Sequence, residues 1–527
     1  MAALGACGSP QGEAPPSQER PTATGPNVLL ISIDTLRADR VGCYGYPREG
    51  ITPHIDALAA ESVRFEELRA PTPWTLPSHA AMLTGVHSYD LGMRHKSSAL
   101  PYGAATVAEA FFDAGYRTAA FVDSGKGGYL GAERGFDRGF ESYEHAPFVK
   151  PAPWTKYDMA ETADQTIQWL EEAVAAKDGP EEGPKADPFF LFVHSKAVHA
   201  LPPNTPCLDE HCFPYDKPDP WRFAYLDPAD ATRVWEDEER GQGQQYLWSL
   251  NADFLDGDLD PRAFPEQDIQ VLSDLYDEGL RFTDHHIGRI FDTLRQLDLW
   301  DDTVIVLTSD HGEAFLEHQL LMHQEVYRNL LHVPLLIKVA GGADDFSSDS
   351  ASAATDSASS TTDDSGEPAS DSAPASPACG ETVDALVELT DIAPTLAALA
   401  GIPGPKTSEG RILPPAPGAD LESLYEPHDS LGYYLFPPTF TYRAFRLERD
   451  GYVLIRHNGP GASELGDLYD LRNDPGELSP LPPDTPLRAE LAQALRRRLA
   501  EEPHFEPRLI KEDEEALKEL KTLGYLD

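Results

Sequence analysis

The stretch Pro73-Trp74-Thr75-Leu76-Pro77-Ser78-His79-Ala80-Ala81-Met82-Leu83-Thr84-Gly85 joins a proline-rich turn to a short apolar run. Proline at the start and Gly85 at the end are helix-boundary signals, so a helix is predicted to open near Thr75. Unpaired backbone N–H groups and the helix dipole favour an anion at that position. The Thr75 hydroxyl is therefore well placed to attack a phosphate or sulfate ester, although the stretch alone also fits an ordinary capped helix.

Two apolar runs on either side of this stretch end in carboxylates. Residues 27–33 lead into Asp34, and residues 303–309 lead into Asp310 and His311. Such runs are typical of buried parallel strands, and sites in open α/β sheets form beyond the carboxyl ends of the strands. Carboxylate oxygens and an imidazole nitrogen suit a divalent cation such as Ca, Zn or Mn. We therefore expect these groups to meet Thr75 at one edge of a sheet.

Several longer motifs follow one another along the chain. They are Ser32-Ile33-Asp34-Thr35-Leu36-Arg37-Ala38-Asp39-Arg40, Leu76-Pro77-Ser78-His79-Ala80-Ala81-Met82-Leu83-Thr84-Gly85, Gly135-Phe136-Asp137-Arg138-Gly139-Phe140, Thr308-Ser309-Asp310-His311-Gly312-Glu313 and Asp391-Ile392-Ala393-Pro394-Thr395-Leu396. Together they resemble the sulfatases of the alkaline phosphatase superfamily over nearly the whole chain. The resemblance implies an α/β fold, with a large mixed sheet flanked by helices and a smaller C-terminal α+β subdomain. It also implies a metal-dependent hydrolase of ester bonds.

The nucleophile position departs from the family pattern. Family sulfatases carry Cys, less often Ser, in a Cys-x-Pro-x-Arg motif, and that residue is oxidised to formylglycine. Here Thr75 takes the Cys position and His79 takes the Arg position. Threonine cannot give the aldehyde, and its single hydroxyl means that an ester formed on it must be hydrolysed by attacking water. The resemblance therefore leaves sulfate and phosphate esters open as substrates.

The resemblance also assigns the metal ligands by position. Asp34, Asp310 and His311 would hold the cation, and Thr75 would act as nucleophile and further ligand. Thr35 stands where many sulfatases have a second metal-binding Asp. The loss of that carboxylate lowers the negative charge of the ligand set by one.

Four further residues match positions that contact the substrate anion or the leaving group in the family: His79, His199, His323 and Lys126. His199 is expected to protonate the leaving oxygen as a general acid, and His323 is expected to bind the non-bridging oxygens. Lys126 lies in a Gly-rich segment and either contacts the anion or is a solvated side chain in a turn. Isolated histidines after strands are commonly structural, and that alternative stays open for His199.

The length of 527 residues predicts two to three domains. Residues 1–26 read as a disordered tether, residues 27–403 as the catalytic domain and residues 404–527 as the C-terminal subdomain. Within the catalytic domain, residues 202–268 read as an inserted loop region that shapes substrate choice. Residues 342–379 form a low-complexity tract without a basic residue, which predicts a disordered insertion.

The net charge and the N-terminal sequence indicate which partners the protein could bind and where it is located. A formal net charge of -47 argues against nucleic acid as a partner, whereas a small-molecule or glycan ester remains compatible because a metal dominates the local field. The segment around Cys7 resembles a bacterial lipoprotein box, which predicts an exported, lipid-anchored protein. A chance match and a cytoplasmic location stay open. No stretch approaches a transmembrane span, and the oligomeric state is not indicated.

Three function classes follow from these features. The first is hydrolysis of sulfate esters, which the family resemblance favours. The second is hydrolysis of phosphodiesters, phosphonate esters or phosphate monoesters on the same fold, which the Thr75 nucleophile favours. The third is a non-catalytic binding protein, and the retained Asp34, Asp310 and His311 argue against it because an inactive site has no need of buried carboxylates.

Overall fold

The computed structural model describes residues 21–123, 128–145, 159–175, 187–200, 213–215, 217–237, 241–242, 246–251, 260, 264–341, 380–435, 443–458, 463 and 465–510. Several predicted features lie outside these ranges: Cys7, Lys126, most of the tether at 1–26, the tract at 342–379 and much of the region at 202–268.

The strands follow one another as β1 Asn27–Ile33, β2 Val63–Arg69, β3 Ser98–Ala99, β4 Arg117–Val122, β5 Ser142–His145, β6 Phe189–Ser195, β7 Glu236–Asp237, β8 Gly241–Gln242, β9 Thr303–Thr308, β10 Ala314–Phe315, β11 Leu321–Met322, β12 His332–Lys338, β13 Thr382–Glu388, β14 Ser430–Leu435, β15 Arg443–Arg449, β16 Tyr452–Asn458, β17 Asp467–Asp470 and β18 Arg508–Leu509. Eight of them form one sheet in the order β13-β2-β12-β9-β1-β6-β4-β5. Only β12 runs antiparallel to its neighbours. The predicted large mixed sheet is thus confirmed.

The helices are α1 Pro53–Ala59, α2 Thr75–Thr84, α3 Val107–Asp113, α4 Met159–Ala175, α5 Pro228–Trp235, α6 Glu266–Gln296, α7 Arg328–Leu331, α8 Ile392–Leu399, α9 Leu421–Leu424 and α10 Pro486–Leu499. α2 begins at Thr75, as the proline and glycine signals predict, and Gly85 ends it in a left-handed conformation with φ 69°. Within the described part of the chain, no helix combines the length and the apolar character that crossing a bilayer requires.

Strand β1 is central to the sheet and fully buried on both faces. Its alternate residues serve two different cores: Val28 and Leu30 pack in one apolar cluster, and Leu29 and Ile31 pack in the other. This alternation explains why the sequence of β1 is continuously apolar, since a parallel strand covered on both faces has no solvent side. The two clusters hold β1 rigidly, so the residue that follows it has a fixed position.

A second sheet follows in the C-terminal part of the chain. β14, β15, β16 and β17 pair as an antiparallel four-stranded meander. Helix α10 packs Leu491 and Leu495 into the apolar cluster of this sheet, which also contains Leu447 and Leu454. The predicted C-terminal α+β unit is therefore present, in agreement with the fold class expected from the sequence.

Candidate active site and metal centre

Three adjacent strands deliver polar residues to one edge of the main sheet. Asp34 follows β1, Asp310 and His311 follow β9, and Lys196 follows β6. The strands β9, β1 and β6 are neighbours and run parallel, so their carboxyl ends coincide. The chain after β1 is anchored by two hydrogen bonds: the Asp34 amide donates to the Ser195 carbonyl at 2.8 Å, and the Thr35 amide donates to Asp310 Oδ1 at 3.3 Å.

Three acceptor atoms face one another at this edge. His311 Nε2 lies 3.5 Å from Asp34 Oδ1 and 3.5 Å from Asp310 Oδ2. The Nδ1–H of His311 donates to the Gly312 carbonyl at 3.0 Å, which leaves a lone pair on Nε2. Each of the three atoms is buried, and none has a hydrogen-bond partner in the described part of the chain. Buried acceptors that face one another without a donor repel, so the cluster fits a cation.

The pKa shifts of the cluster also indicate a cation site. Burial and the nearby Asp34 charge raise the pKa of Asp310 well above its ordinary value. Burial would also raise the pKa of Asp34, but His199, His194 and Lys196 hold it well below its ordinary value. Burial and then His323 lower the pKa of His311 to about 3, which keeps the imidazole neutral. A neutral imidazole is the protonation state that a metal ligand requires, and a cation would offset the repulsion that raises the pKa of Asp310.

Thr75 occupies the first position of α2, directly beside this cluster. Its hydroxyl donates to Asp34 Oδ2 at 3.4 Å, and the residue is 3 % exposed. The preceding Trp74 has an extended backbone and gives the helix no side-chain cap. The first N–H groups of the helix therefore lack a capping side chain, and they offer an anion-binding position next to the Thr75 hydroxyl.

His79 lies one helical turn after Thr75 and is fully buried. Its Nδ1–H donates to the Thr75 carbonyl at 2.9 Å, and its Nε2 lies 2.9 Å from the Ser32 hydroxyl, from which it accepts. Burial and His194 lower its pKa to about 3. The sequence-based expectation that His79 contacts the substrate anion therefore finds no ring nitrogen left for that contact, because both are engaged within the protein. His79 thus links the Thr75 carbonyl to Ser32, and its contact with the substrate anion stays a prediction.

The structure brings His199 and His323 to the cluster. The ring centroid of His323 lies 4.7 Å from that of His311 and 5.0 Å from that of His199. His199 Nδ1–H donates to the Ala200 carbonyl at 2.5 Å, so its Nε2 is the nitrogen left to face the site. Both residues thus lie beside the cluster of Asp34, Asp310 and His311, whereas Lys126 lies outside the described residues.

Three residues outside the predicted set of site residues also lie at this site. Glu313 is fully buried and accepts a hydrogen bond from His323 Nδ1 at 3.1 Å. His194 Nε2 lies 3.7 Å from Asp34 Oδ2, and Lys196 Nζ lies 3.8 Å from the same oxygen. The signals were present, since Glu313 follows the Asp310-His311 pair and the other two sit at the end of an apolar run. Their partners, however, depend on the fold.

Comparison with known proteins finds that the chain is similar to sulfatases. Residues 26–402 match the family model for sulfatases, and residues 368–504 match the model for the C-terminal region of N-sulphoglucosamine sulphohydrolase. Arylsulfatase K of Bos taurus is 24% identical over 89% of this chain and 81% of its own. N-acetylglucosamine-6-O-sulfatase of Bacteroides thetaiotaomicron is 22% identical over 90% of this chain and 84% of its own.

A solved phosphonate monoester hydrolase from Silicibacter pomeroyi shares the fold. It superposes with a TM-score of 0.59 at 21% identity, over 93% of this chain and 100% of its own. The large mixed sheet with carboxylates at its carboxyl edge fits the alkaline phosphatase-like class of ester hydrolases. Because the sulfatase model covers most of the chain, the protein belongs to the sulfatase family.

Proposed function

We propose that the protein hydrolyses sulfate esters, or chemically related esters, of small molecules or glycans, with Thr75 as the nucleophile. The observation that carries the proposal is the set of three unpaired, buried acceptor atoms on Asp34, Asp310 and His311. A hydroxyl at a helix start lies beside them, bonded to the Asp34 carboxylate. Relatives that are sulfatases support a sulfate ester as substrate.

The proposed ligands of a divalent cation are Asp34 Oδ1, Asp310 Oδ2, His311 Nε2 and the Thr75 hydroxyl oxygen. When bound there, a cation would supply positive charge that lowers the pKa of the hydroxyl and neutralises the ester oxygens. The protein itself supplies the orientation. Asp34 Oδ2 accepts the Thr75 proton, and His79 holds the carbonyl of the same residue.

The proposed reaction has two steps. First, Thr75 gives its proton to Asp34 Oδ2, Oγ1 attacks the sulfur of the ester, and the bond from sulfur to the leaving oxygen breaks. The leaving alcohol takes a proton from the imidazolium form of His199 or His323. A sulfate ester of Thr75 results. In the second step water attacks the sulfur and gives one proton to the same histidine, and the bond from sulfur to Thr75 Oγ1 breaks. Thr75 takes its proton back from Asp34, and hydrogen sulfate leaves. Because threonine has one hydroxyl, the intermediate cannot expel sulfate by internal collapse.

Phosphonate or phosphate ester hydrolysis is the second candidate function. The favouring observation is the residue type itself: Thr75 forms an ester that is released by water, as a phosphoryl intermediate is. The structural similarity to a phosphonate monoester hydrolase supports the same fold for this chemistry. Paired kcat/KM measurements on an aryl sulfate and on the matching aryl phosphonate and phosphate esters decide between the two. The larger value identifies the substrate class.

Metal removal is expected to reduce both activity and stability. Cation binding to the folded state stabilises it by about 2.7 kcal/mol at a hundredfold excess over Kd. Dialysis against chelator should therefore lower Tm and abolish turnover, and Mn²⁺ should restore both. Asp310→Asn should respond weakly to added Mn²⁺. A protein with unchanged Tm, no bound metal and no turnover under either condition would instead support the non-catalytic binding protein.

Glu313 is expected to act through His323. Replacement of Glu313 by Leu removes the acceptor that orients the imidazole, and a misplaced group of this kind costs about 10²-fold in rate. Glu313→Gln retains an oxygen acceptor and should keep most of kcat/KM. The kcat/KM values of both variants and of the wild type are compared at a temperature below the Tm of each protein. If Glu313→Leu turns over at the wild-type rate, the carboxylate has no part in positioning His323.

The organisation outside the site is also a proposal. We infer a catalytic domain at 27–403 and a C-terminal subdomain at 404–527, with the tether at 1–26 leading to an exported, lipid-anchored form through Cys7. Fractionation of the native host with mass analysis of Cys7 tests the anchor. Unmodified Cys7 together with full activity in the cytoplasmic fraction would contradict it.

A further inference from the structure

The two oxygens of the Asp34 carboxylate have different kinds of neighbour. Three donor groups surround Oδ2: Thr75 Oγ1 at 3.4 Å, His194 Nε2 at 3.7 Å and Lys196 Nζ at 3.8 Å. Oδ1 faces the other two acceptor atoms of the cluster, with His311 Nε2 at 3.5 Å, and has no hydrogen-bond partner in the described part of the chain. The donors therefore determine which of the two oxygens is left for a cation.

We propose that His194 is the positioning residue that fixes the Asp34 carboxylate, so that Oδ1 is presented to the metal and Oδ2 to Thr75. The inference rests on the proposed function, because it concerns the same metal site. It adds a residue outside the ligand set and outside the groups expected to contact substrate.

The position of His194 is set by the sheet. It lies beside Ser32 in the register between β6 and β1, and Asp34 follows Ser32 by only two residues, just after β1 ends. Its ring is packed edge-on against the ring of His79, with centroids 4.9 Å apart. Since His79 is itself held at both nitrogens, by Ser32 and by the Thr75 carbonyl, the ring of His194 rests on a rigid support.

The hydrogen bonding of the His194 ring supports the same role. The residue is fully buried, and neither ring nitrogen has a hydrogen-bond partner within the described ranges. A buried polar group without a partner costs free energy, so an isolated histidine is a poor choice for this position. Of the two nitrogens, Nε2 faces a carboxylate oxygen, and only its N–H form is attracted there. His194 is thus placed to donate to Asp34 Oδ2 and to restrain rotation of the carboxylate.

His194 differs in role from the other two donors. Thr75 is the proposed nucleophile, and the flexible stem of Lys196 allows its ammonium group several positions. The imidazole is rigid and is enclosed by strands. Partners of this kind behind a metal ligand typically contribute 10- to 100-fold to metal affinity.

The test measures binding of Mn²⁺ alone to the apoprotein by calorimetry, together with the Mn²⁺-induced rise in Tm. His194→Phe keeps the ring and removes the N–H, and a 10- to 100-fold increase in Kd is expected. His194→Gln keeps a donor that can reach Asp34 and should stay closer to wild type. His87→Phe, which alters a buried histidine outside the site, controls for general destabilisation. If His194→Phe fails to fold, His194→Asn replaces it, because the shorter amide cannot reach Asp34.

Two outcomes overturn the inference. One is a Kd for Mn²⁺ of His194→Phe, or of His194→Asn, that lies within about twofold of the wild-type value. The other is an equal loss of Mn²⁺ affinity in His194→Gln, which would mean that the shape of the side chain matters rather than its hydrogen bond to Asp34. Failure of the proposed function gives a different result. In that case wild-type protein binds no Mn²⁺, and Asp34→Ala changes nothing.

Discussion

Replacement of Thr75 by Val is expected to abolish turnover. Valine keeps the β-branched shape at the start of α2 and removes only the hydroxyl that donates to Asp34 Oδ2. Loss of a catalytic nucleophile commonly reduces kcat by roughly 10⁴-fold or more. Because valine has nearly the same shape and the hydrogen bond that is lost is long, at 3.4 Å, Tm should change little. Steady-state kinetics on the preferred aryl ester, with thermal unfolding of the same samples, measure both effects.

Thr75→Ser serves as the matched control for that experiment. Serine retains the hydroxyl at the helix start and should keep measurable turnover, although it lacks the methyl group that restricts the side chain. If Thr75→Val and wild type have equal kcat, another group must attack the ester. In that event Thr75 would be only the first residue of a structural helix, which is the alternative that its sequence context also allows.

The second large effect is expected at the contact between the two sheets. Glu448 of β15 is buried and accepts two hydrogen bonds from Arg69 of β2, at 2.8 and 2.9 Å, and one from Arg446 at 2.7 Å. Arg446 is also bonded to the buried Glu477. Glu448→Ala leaves two guanidinium groups facing an empty position, and breaking a buried pair in this way costs about 3–5 kcal/mol.

Denaturant unfolding of Glu448→Ala at neutral pH measures this loss. Glu490→Ala is the control, because Glu490 pairs with Arg449 at 3.0 Å on the surface and should cost at most about 1 kcal/mol. Burial would raise the pKa of Glu448, but Arg69 and Arg446 hold it well below 4.5. Its stabilising contribution is therefore complete above pH 4.5 and declines as the pH falls, so the two proteins should converge in acid. Equal stability at neutral pH would contradict this account of the contact between the sheets.

The meeting of Asp34, Asp310 and His311 could be predicted because it depends only on strand order. Each residue directly follows a continuously apolar run, and the carboxyl ends of neighbouring parallel strands coincide. The start of α2 was predictable for a similarly local reason, since the prolines and Gly85 bound it. Parallel-sheet geometry and helix-boundary signals are both encoded within a few residues.

The bond between Glu313 and His323 depends on a loop that the sequence does not reveal. β10 and β11 pair as a short antiparallel hairpin, which returns the chain to Glu313. Four non-glycine residues of this hairpin have positive φ: Leu316 at 70°, His318 at 54°, Gln319 at 64° and Met322 at 64°. Positive φ is uncommon in such residues, so no local propensity predicts the path that brings the two side chains together.

The hydrogen-bond partners of His79 could not be predicted from the sequence, for a different reason. Its place in the motif matches an arginine of the family, and the sequence therefore suggested contact with an anion. The fold places it fully inside the protein, where Ser32 and the Thr75 carbonyl satisfy both ring nitrogens. Position in a motif identifies the neighbourhood of a side chain, whereas the partners of its polar atoms follow only from the packing around it.

The most direct test of the central claim is detection of the covalent ester on Thr75. Metal-loaded protein is mixed with an aryl sulfate or aryl phosphonate, quenched in acid, digested with trypsin and analysed by mass spectrometry. The informative peptide spans residues 70–94, between the cleavage sites after Arg69 and Arg94. We predict a sulfuryl or phosphonyl adduct that fragmentation assigns to Thr75 and that Thr75→Val lacks. An adduct on a different residue, with turnover undiminished in Thr75→Val, would contradict the account.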